Sequence, residues 1–130
     1  MEIVILIDTD ILILHLRGVL EARDWLRGAA VSQELAVSIV TITEVSGAMR
    51  SDGTSQVWRL LTSLRSEPVT YPIACRAGEL MRTWRRSHSG ISTSDYLIAA
   101  TALELGMELA TLNVRHYPMF PDLVPPFTLV

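Results

Sequence analysis

The chain is expected to be an α/β protein, with a central parallel sheet and helices on both faces. Strand-like apolar runs alternate with helix-like runs along its length, a pattern that implies parallel strands joined by helical crossovers. The first run, Ile3-Val4-Ile5-Leu6-Ile7, is apolar throughout and rich in β-branched residues, as in a strand buried on both faces. Four polar residues, Asp8, Glu44, Asp95 and Asn113, sit where a strand-like run gives way to a helix-like run or inside the first turn of that helix. In an open parallel sheet, residues just beyond the carboxyl ends of the strands converge on one crevice.

The elements follow in order. After the strand at 3–7, Asp10 is a candidate N-cap for a short helix through Leu16, ended by Gly18. Residues 20–28 place Leu20, Trp25 and Leu26 at helical spacing. A second strand is expected over 35–40 and a helix from Thr41 to Met49. Ser51-Asp52-Gly53-Thr54 reads as a loop, before a helix carrying Val57, Trp58, Leu60, Leu61 and Leu64. Pro68-Val69-Thr70-Tyr71 reads as a short strand, and Pro72 starts a helix to about His88. Ser89-Gly90 is a turn, and Ser92-Thr93-Ser94 caps a helix from Asp95 to Leu105 that Gly106 ends. Residues 108–111 make another strand, and Phe127 to Val130 an edge strand after a proline-rich tail.

The 130 residues suit one domain, 1–130, with one good core. A hydrophobic fraction of 49% and a mean hydropathy of +0.33 exclude a disordered tail. Asp8-Thr9-Asp10 interrupts the early apolar run, so no segment is expected to span a membrane. Met1-Glu2 offers no basic leader. The single cysteine, Cys75, excludes an intrachain disulfide, fits a reducing cytosol, and is expected to be a small core residue. A net charge of −3 argues against binding nucleic acid through bulk electrostatics. All 11 basic residues are arginine, which suits phosphate recognition but has an ordinary source in base composition.

Each acid taken singly has a structural explanation: Asp95 complements a helix dipole, Asp10 caps a helix, and Glu44 is a solvated helix residue. Asp8 resists that treatment, because a charge ending a fully buried strand is costly without a partner. Carboxylates gathered at one crevice would repel one another unless a hard divalent cation joined them. The coincidence of positions therefore points to a metal site and to phosphodiester chemistry.

Ile7-Asp8-Thr9-Asp10 resembles the opening of PIN-domain ribonucleases, especially the VapC toxins of toxin–antitoxin pairs. Ser38-Ile-Val-Thr-Ile-Thr-Glu44-Val is similar to their second motif, Ser94-Asp95-Tyr-Leu-Ile-Ala-Ala-Thr-Ala102 to the third, and Thr111-Leu-Asn113-Val-Arg-His-Tyr-Pro-Met to the fourth. The resemblance spans the chain and implies a PIN-like parallel sheet of about five strands with helices on both faces. It implies an endoribonuclease in which Asp8, Glu44 and Asp95 hold Mg2+ or Mn2+ and orient water against a phosphate, two ions about 4 Å apart being one arrangement. It also implies a cytoplasmic protein, a cognate antitoxin, an RNA substrate and a homodimer. Asp10 stands where many relatives have asparagine; it either binds metal or caps the helix. Where a fourth acid is common, this chain offers Asn113 and His116, and neutral asparagine is a weak ligand for a hard cation. One tightly held ion and a second, looser one are therefore expected.

His116 is a candidate for phosphate contact or proton relay, and equally for packing against Tyr117. Arg82, Arg85 and Arg86 fall within one helical turn and form a candidate substrate-binding patch, though such clusters are ordinarily solvated faces. Trp25, Trp58 and Trp84 sit among aliphatics and are expected in core or interface packing. The helix from Gln56 to Leu64 and the segment around Leu14 to Leu26 are candidate walls of an antitoxin groove. Two other readings remain at this point. Asp-x-Asp after a strand also opens haloacid-dehalogenase-type phosphatases, but the absent lysine and small size oppose that reading. A PIN-like module without catalysis, acting in RNA binding or assembly, is favoured by the missing fourth acid and opposed by the three retained.

Overall fold

The computed structural model describes residues 3–130; Met1 and Glu2, on which the expectation of no leader rests, lie outside them. Strands β1 (Val4–Ile7), β2 (Glu34–Ser38), β3 (Arg65–Glu67) and β4 (Glu108–Ala110) form one parallel sheet in the order β3-β2-β1-β4. Helices α1 (Thr9–Leu16), α2 (Leu20–Ser32), α3 (Ile39–Gly47), α4 (Thr54–Thr62), α5 (Tyr71–Trp84) and α6 (Thr93–Leu105) connect them. A 3-10 turn, Val114–His116, follows β4. The chain builds the sheet outward from β1 to β3, then returns past β1 to add β4. The switch point thus lies between β1 and β4, where an open α/β sheet forms its crevice.

Strand alternation divides the core between the two faces. Ile5, Ile7 and Val37 point to the side covered by α1, α2, α3 and α4, where they pack with Ile11, Leu12, Leu26, Val45, Val57 and Leu61. Leu6, Ala36 and Leu109 point to the other side, against Ile98, Ala99 and Ala102 of α6 and Tyr117. Helix α5 covers α6 through Ile73, Ala77, Tyr96 and Ala100. Each large aliphatic buried this way stabilises the fold by roughly 1.5–3 kcal/mol relative to exposure.

Several boundaries differ from those expected, each for a local reason. The sheet has four strands among the described residues, not about five. Phe127–Val130 is not a strand: Phe127 packs on Trp25 with ring centroids 6.1 Å apart, and the Val130 amide donates to Glu21 at 3.2 Å. Burying an aromatic on α2 prevails over edge pairing. The third strand is Arg65–Glu67 rather than Pro68–Tyr71, because Pro68 has no N–H for the ladder. Thr70 instead caps α5, its hydroxyl accepting from the Ile73 amide. Ile39 and Val40 have strand propensity yet begin α3, because Ser38 accepts from the Val40 amide at 3.2 Å and starts the helix there. Asp8, not Asp10, caps α1. Helix α5 ends at Trp84 rather than near His88. Cys75 is exposed rather than in the core, since the buried face of α5 is set by Ile73 and Ala77 and a residue two positions from Ile73 points away from it.

Candidate active site

The register of the sheet places the first pair of polar residues. Ile7 lies opposite Ala110, so the next residues, Asp8 and Thr111, emerge side by side at the switch point. Thr111 Oγ1 donates to Asp8 Oδ2 at 2.7 Å, and Asp8 Oδ1 accepts from the Thr9 amide at 2.8 Å. Asp8 is buried, at 5% exposure, and burial pushes its carboxyl up to about 6, with the nearby Asp10 charge adding to the effect. Burial likewise raises Asp10, two residues further on. Asp10 Oδ2 accepts from the Leu112 amide at 3.0 Å and lies 3.4 Å from Thr111 Oγ1, while its Oδ1 is buried with no hydrogen-bond partner among the described residues.

Asp95 reaches the crevice from α6. Ser92 Oγ accepts from the Asp95 amide and Asp95 Oδ2 accepts from the Ser92 amide, both at 3.1 Å, a reciprocal capping box that fixes the carboxylate at the helix start. The buried Tyr117 hydroxyl donates to Asp95 Oδ1 at 3.3 Å. Burial, then the Asp8 and Asp95 charges, hold that phenol far above its ordinary range, so it remains a donor. His116 Nδ1 lies 3.0 Å from Asp95 Oδ2 and 3.0 Å from Asn113 Nδ2. A proton on Nδ1 satisfies the carboxylate, and the Asn113 amide then meets the ring best through its oxygen, an orientation assigned by hydrogen bonding.

Glu44 approaches from α3, exposed to solvent, and its Oε1 accepts from Thr9 Oγ1 at 2.7 Å. Thr9 Oγ1 also lies 3.0 Å from Thr41 Oγ1. Since Thr9 has one hydroxyl proton and gives it to Glu44, Thr41 donates to Thr9. Thus buried Asp8 and half-buried Asp10 form one pair, and Glu44 is tethered to that pair through Thr9. Asp95 with Tyr117, His116 and Asn113 forms a neighbouring group, close enough for the Asp95 charge to add to the rise of both Asp8 and Asp10. Among the described residues no three His, Cys, Asp or Glu side chains come together closely enough to hold one ion as they stand. The donor set is nonetheless suited to a hard cation: oxygen ligands, a buried and a half-buried acid both with raised pKa, and one orphaned carboxylate oxygen.

The arginines flank this site at one remove. Arg82 lies in the last turn of α5 and Arg85 at its C-cap; with Arg86, all three are exposed and form no ion pair among the described residues. Arg76, nearer the start of α5, pairs with Glu104 near the end of α6 at 3.1 Å, so the two helices run in opposite directions. The end of α5 therefore neighbours the start of α6, and Arg85 is close enough to Tyr96 to act on its phenol. Thr9, Thr111 and Tyr117 also join the site; they lie inside the first and fourth motifs, but no role at the site is expected of them from the sequence. Their signal is membership of those motifs, as polar residues next to Asp8, next to the last strand, and beside His116.

The PIN-domain family matches residues 5–118. The chain is 54% identical over 125 residues to Ribonuclease VapC10 of Mycobacterium tuberculosis, covering 96% of this chain and 94% of that protein. It is 41% identical over 123 residues to Ribonuclease VapC19 of the same species, covering 94% and 98%. Among solved structures, a chain of a toxin–antitoxin complex from Klebsiella pneumoniae superimposes with a TM-score of 0.79 at 27% identity, covering 95% of this chain and 98% of that one. A chain of VapBC2 from Rickettsia felis, bound to a DNA fragment from its promoter, shares the fold with a TM-score of 0.79 at 19% identity over 95% and 97%. PIN-domain ribonucleases of this type are generally metal-dependent. The chain belongs to the PIN-domain family and, within it, is a VapC-type endoribonuclease, the toxin of a VapBC-type toxin–antitoxin pair.

Proposed function

We propose that RNA phosphodiesters are cleaved at the crevice between β1 and β4, with Asp8, Glu44 and Asp95 holding Mg2+ or Mn2+ and Asn113 supporting them. The observation that carries this reading is the buried Asp8 carboxylate, its pKa raised by burial, beside an Asp10 whose Oδ1 is buried with no hydrogen-bond partner among the described residues. A bound divalent ion supplies charge neutralisation and an activated water. The chain's own residues do the rest. Thr111 and the Thr9 amide orient Asp8, Thr9 Oγ1 aims Glu44, and the capping box with Tyr117 fixes Asp95. His116, 3.0 Å from Asp95, is the candidate for contact with a phosphate oxygen, and the exposed Arg82, Arg85 and Arg86 are candidates for a phosphate-binding surface beyond Tyr96.

The test is cleavage of single-stranded RNA by purified protein with Mg2+ or Mn2+, against excess chelator and against Asp8→Asn. Cleavage that needs the ion and the carboxylate is the expected result. Full cleavage in chelator by nuclease-free protein would falsify the metal-dependent reading.

The partners follow the same reading: a cognate antitoxin, a homodimer, and a cytoplasmic setting. Among the described residues no helix is long and apolar enough to cross a membrane. A groove of about 590 Å³ between α1, α3 and α4 is lined by Ile13, Leu16, Val45, Met49 and Val57, with Arg17, Arg50 and Asp52 also in its wall. A second, of about 600 Å³, runs along Leu26, Leu35, Leu60 and Leu64 with Arg23, Arg27 and Arg65. Both use α1 or α2 and α4, and an amphipathic antitoxin helix has the shape and polarity to fill such a groove. Trp58, 43% exposed on α4, offers apolar surface for an interface.

A further inference from the structure

We infer that Asp10 is the second carboxylate of the cation site, paired with Asp8, and that the Asn113 amide acts only on Asp95's side. This inference rests on the metal-dependent reading above. Capping of α1 does not explain the Asp10 charge, because Asp8 already caps that helix. Both Asp8 Oδ2 and Asp10 Oδ2 lie within reach of Thr111 Oγ1, at 2.7 and 3.4 Å. That hydroxyl has one proton, and Asp8 is the nearer acceptor. Asp10 keeps the Leu112 amide on Oδ2 and the adjacent Ile11 amide also favours its charged form, yet Oδ1 is buried with no hydrogen-bond partner among the described residues. A carboxylate oxygen buried without a donor is costly unless a cation meets it. Mg2+ takes only one or two carboxylates directly when waters complete its shell, so Asp8 and Asp10 can meet the ion directly while Glu44 and Asp95 reach it through those waters.

Asn113 is committed elsewhere. Its amide faces His116 Nδ1 at 3.0 Å, and the same nitrogen faces Asp95 Oδ2. Its backbone amide donates to Thr111 Oγ1 at 3.0 Å, which fixes the turn carrying it. Asn113 therefore positions His116 against Asp95, and direct contact with the ion falls to Asp8 and Asp10.

The experiment measures Mn2+ affinity by calorimetry, without RNA, for the wild type, Asp10→Asn, Asn113→Ala and Asp8→Asn, together with the unfolding midpoint of each with and without Mn2+. Asn at position 10 retains an acceptor for the Leu112 amide, so the metal-free midpoint should be unchanged or higher. Its Mn2+ affinity should fall by about tenfold or more, as expected for loss of a nearby anion. Asn113→Ala should change affinity by less than about threefold, since it removes no charge. Wild-type affinity in Asp10→Asn, alongside loss in Asp8→Asn, would overturn the assignment and leave the metal reading intact. Absence of Mn2+ binding by the wild type would overturn both.

Discussion

Thr111 and Asp8, 103 positions apart in the chain, are joined by a 2.7 Å hydrogen bond from the threonine hydroxyl to a buried carboxylate. The pairing of Ile7 with Ala110 is what delivers them to one another, so the bond reports the register of the switch-point strands. The same hydroxyl accepts from the Asn113 amide at 3.0 Å, tying the turn after β4 to the acid after β1. Thr111→Val keeps the shape and removes the hydroxyl, leaving Asp8 Oδ2 and the Asn113 amide without their partner. The expected cost is about 1–3 kcal/mol at pH 7, read by urea unfolding, together with abolished RNA cleavage. A variant as stable as the wild type would show that the hydroxyl is not what satisfies Asp8.

Stability of the metal-free protein should depend on pH through this same acid. Burial, and secondarily Asp10, raise Asp8 from 3.8 to about 6 in the folded state. Between those values the folded protein holds a proton that the unfolded chain has released, so stability falls as pH rises through the window. The difference corresponds to on the order of 3 kcal/mol, fully felt above pH 6 and absent below the unfolded value. Asp10, also raised, acts in the same direction. The metal-free protein should therefore unfold at lower urea at pH 7 than at pH 5. Asp8→Asn should reduce that slope and match or exceed the wild type at pH 7. A stability curve rising from pH 4 to 7, without metal, would contradict this account.

The legible and illegible parts of the fold divide by how local their causes are. The unbroken Ile3–Ile7 run announces a central strand, and Asp8 at its end announces the crevice, because both signals are read within a few residues. Ser92-Thr93-Ser94 announces a capped helix start, and the structure narrows it to Ser92 as the cap, with Asp95 closing a capping box. Ile39 and Val40 mislead because the Ser38 cap outweighs their strand propensity. Asp10 has the residue type of a cap, but Asp8, two residues earlier, takes that role through an amide that sequence alone does not single out. The Thr111–Asp8 and Thr9–Glu44 bonds depend on strand register and helix packing, and no local pattern carries them. Phe127 is drawn away from strand pairing to Trp25 by tertiary packing.

Thr9 should matter through Glu44. Its hydroxyl bridges Glu44 Oε1 and Thr41 Oγ1, and Thr41 is fully buried. Thr9→Val would release Glu44 to solvent and leave the Thr41 hydroxyl without this partner. A stability loss of about 1–2 kcal/mol is expected, with a fall in kcat larger than any change in KM, since Glu44 stays charged but is no longer aimed. Unchanged kcat in a folded variant would remove Thr9 from the account of the site.

Arg82, Arg85 and Arg86 should act on RNA binding alone. They are exposed and unpaired among the described residues, so replacing all three with alanine should change stability by no more than about 0.5 kcal/mol. If they neutralise phosphates, RNA affinity should fall in the triple variant. Its logarithmic salt dependence should also flatten by up to about 2, near 0.7 for each phosphate of a single strand that is no longer neutralised. Binding assays at several salt concentrations, using Asp8→Asn protein to prevent cleavage, would measure both. Unchanged affinity and slope would leave the cluster as a solvated helix end.

The groove between α1, α3 and α4 gives a test that separates partner binding from catalysis. Met49 lies at its wall, half-buried, beyond the C-terminal end of the helix that carries Glu44. Met49→Glu places a charge where an antitoxin's apolar side chain would sit, while no hydrogen bond of the acid cluster passes through this side chain. Burying an unpaired carboxylate against an apolar partner opposes association strongly. Antitoxin affinity should drop by about a hundredfold or more, read by titration calorimetry, while RNA cleavage by the free protein persists. The variant would then remain active at antitoxin concentrations that silence the wild type. Undiminished silencing would move the antitoxin to the second groove, along Leu26, Leu60 and Leu64, where Leu60→Glu is the matching substitution.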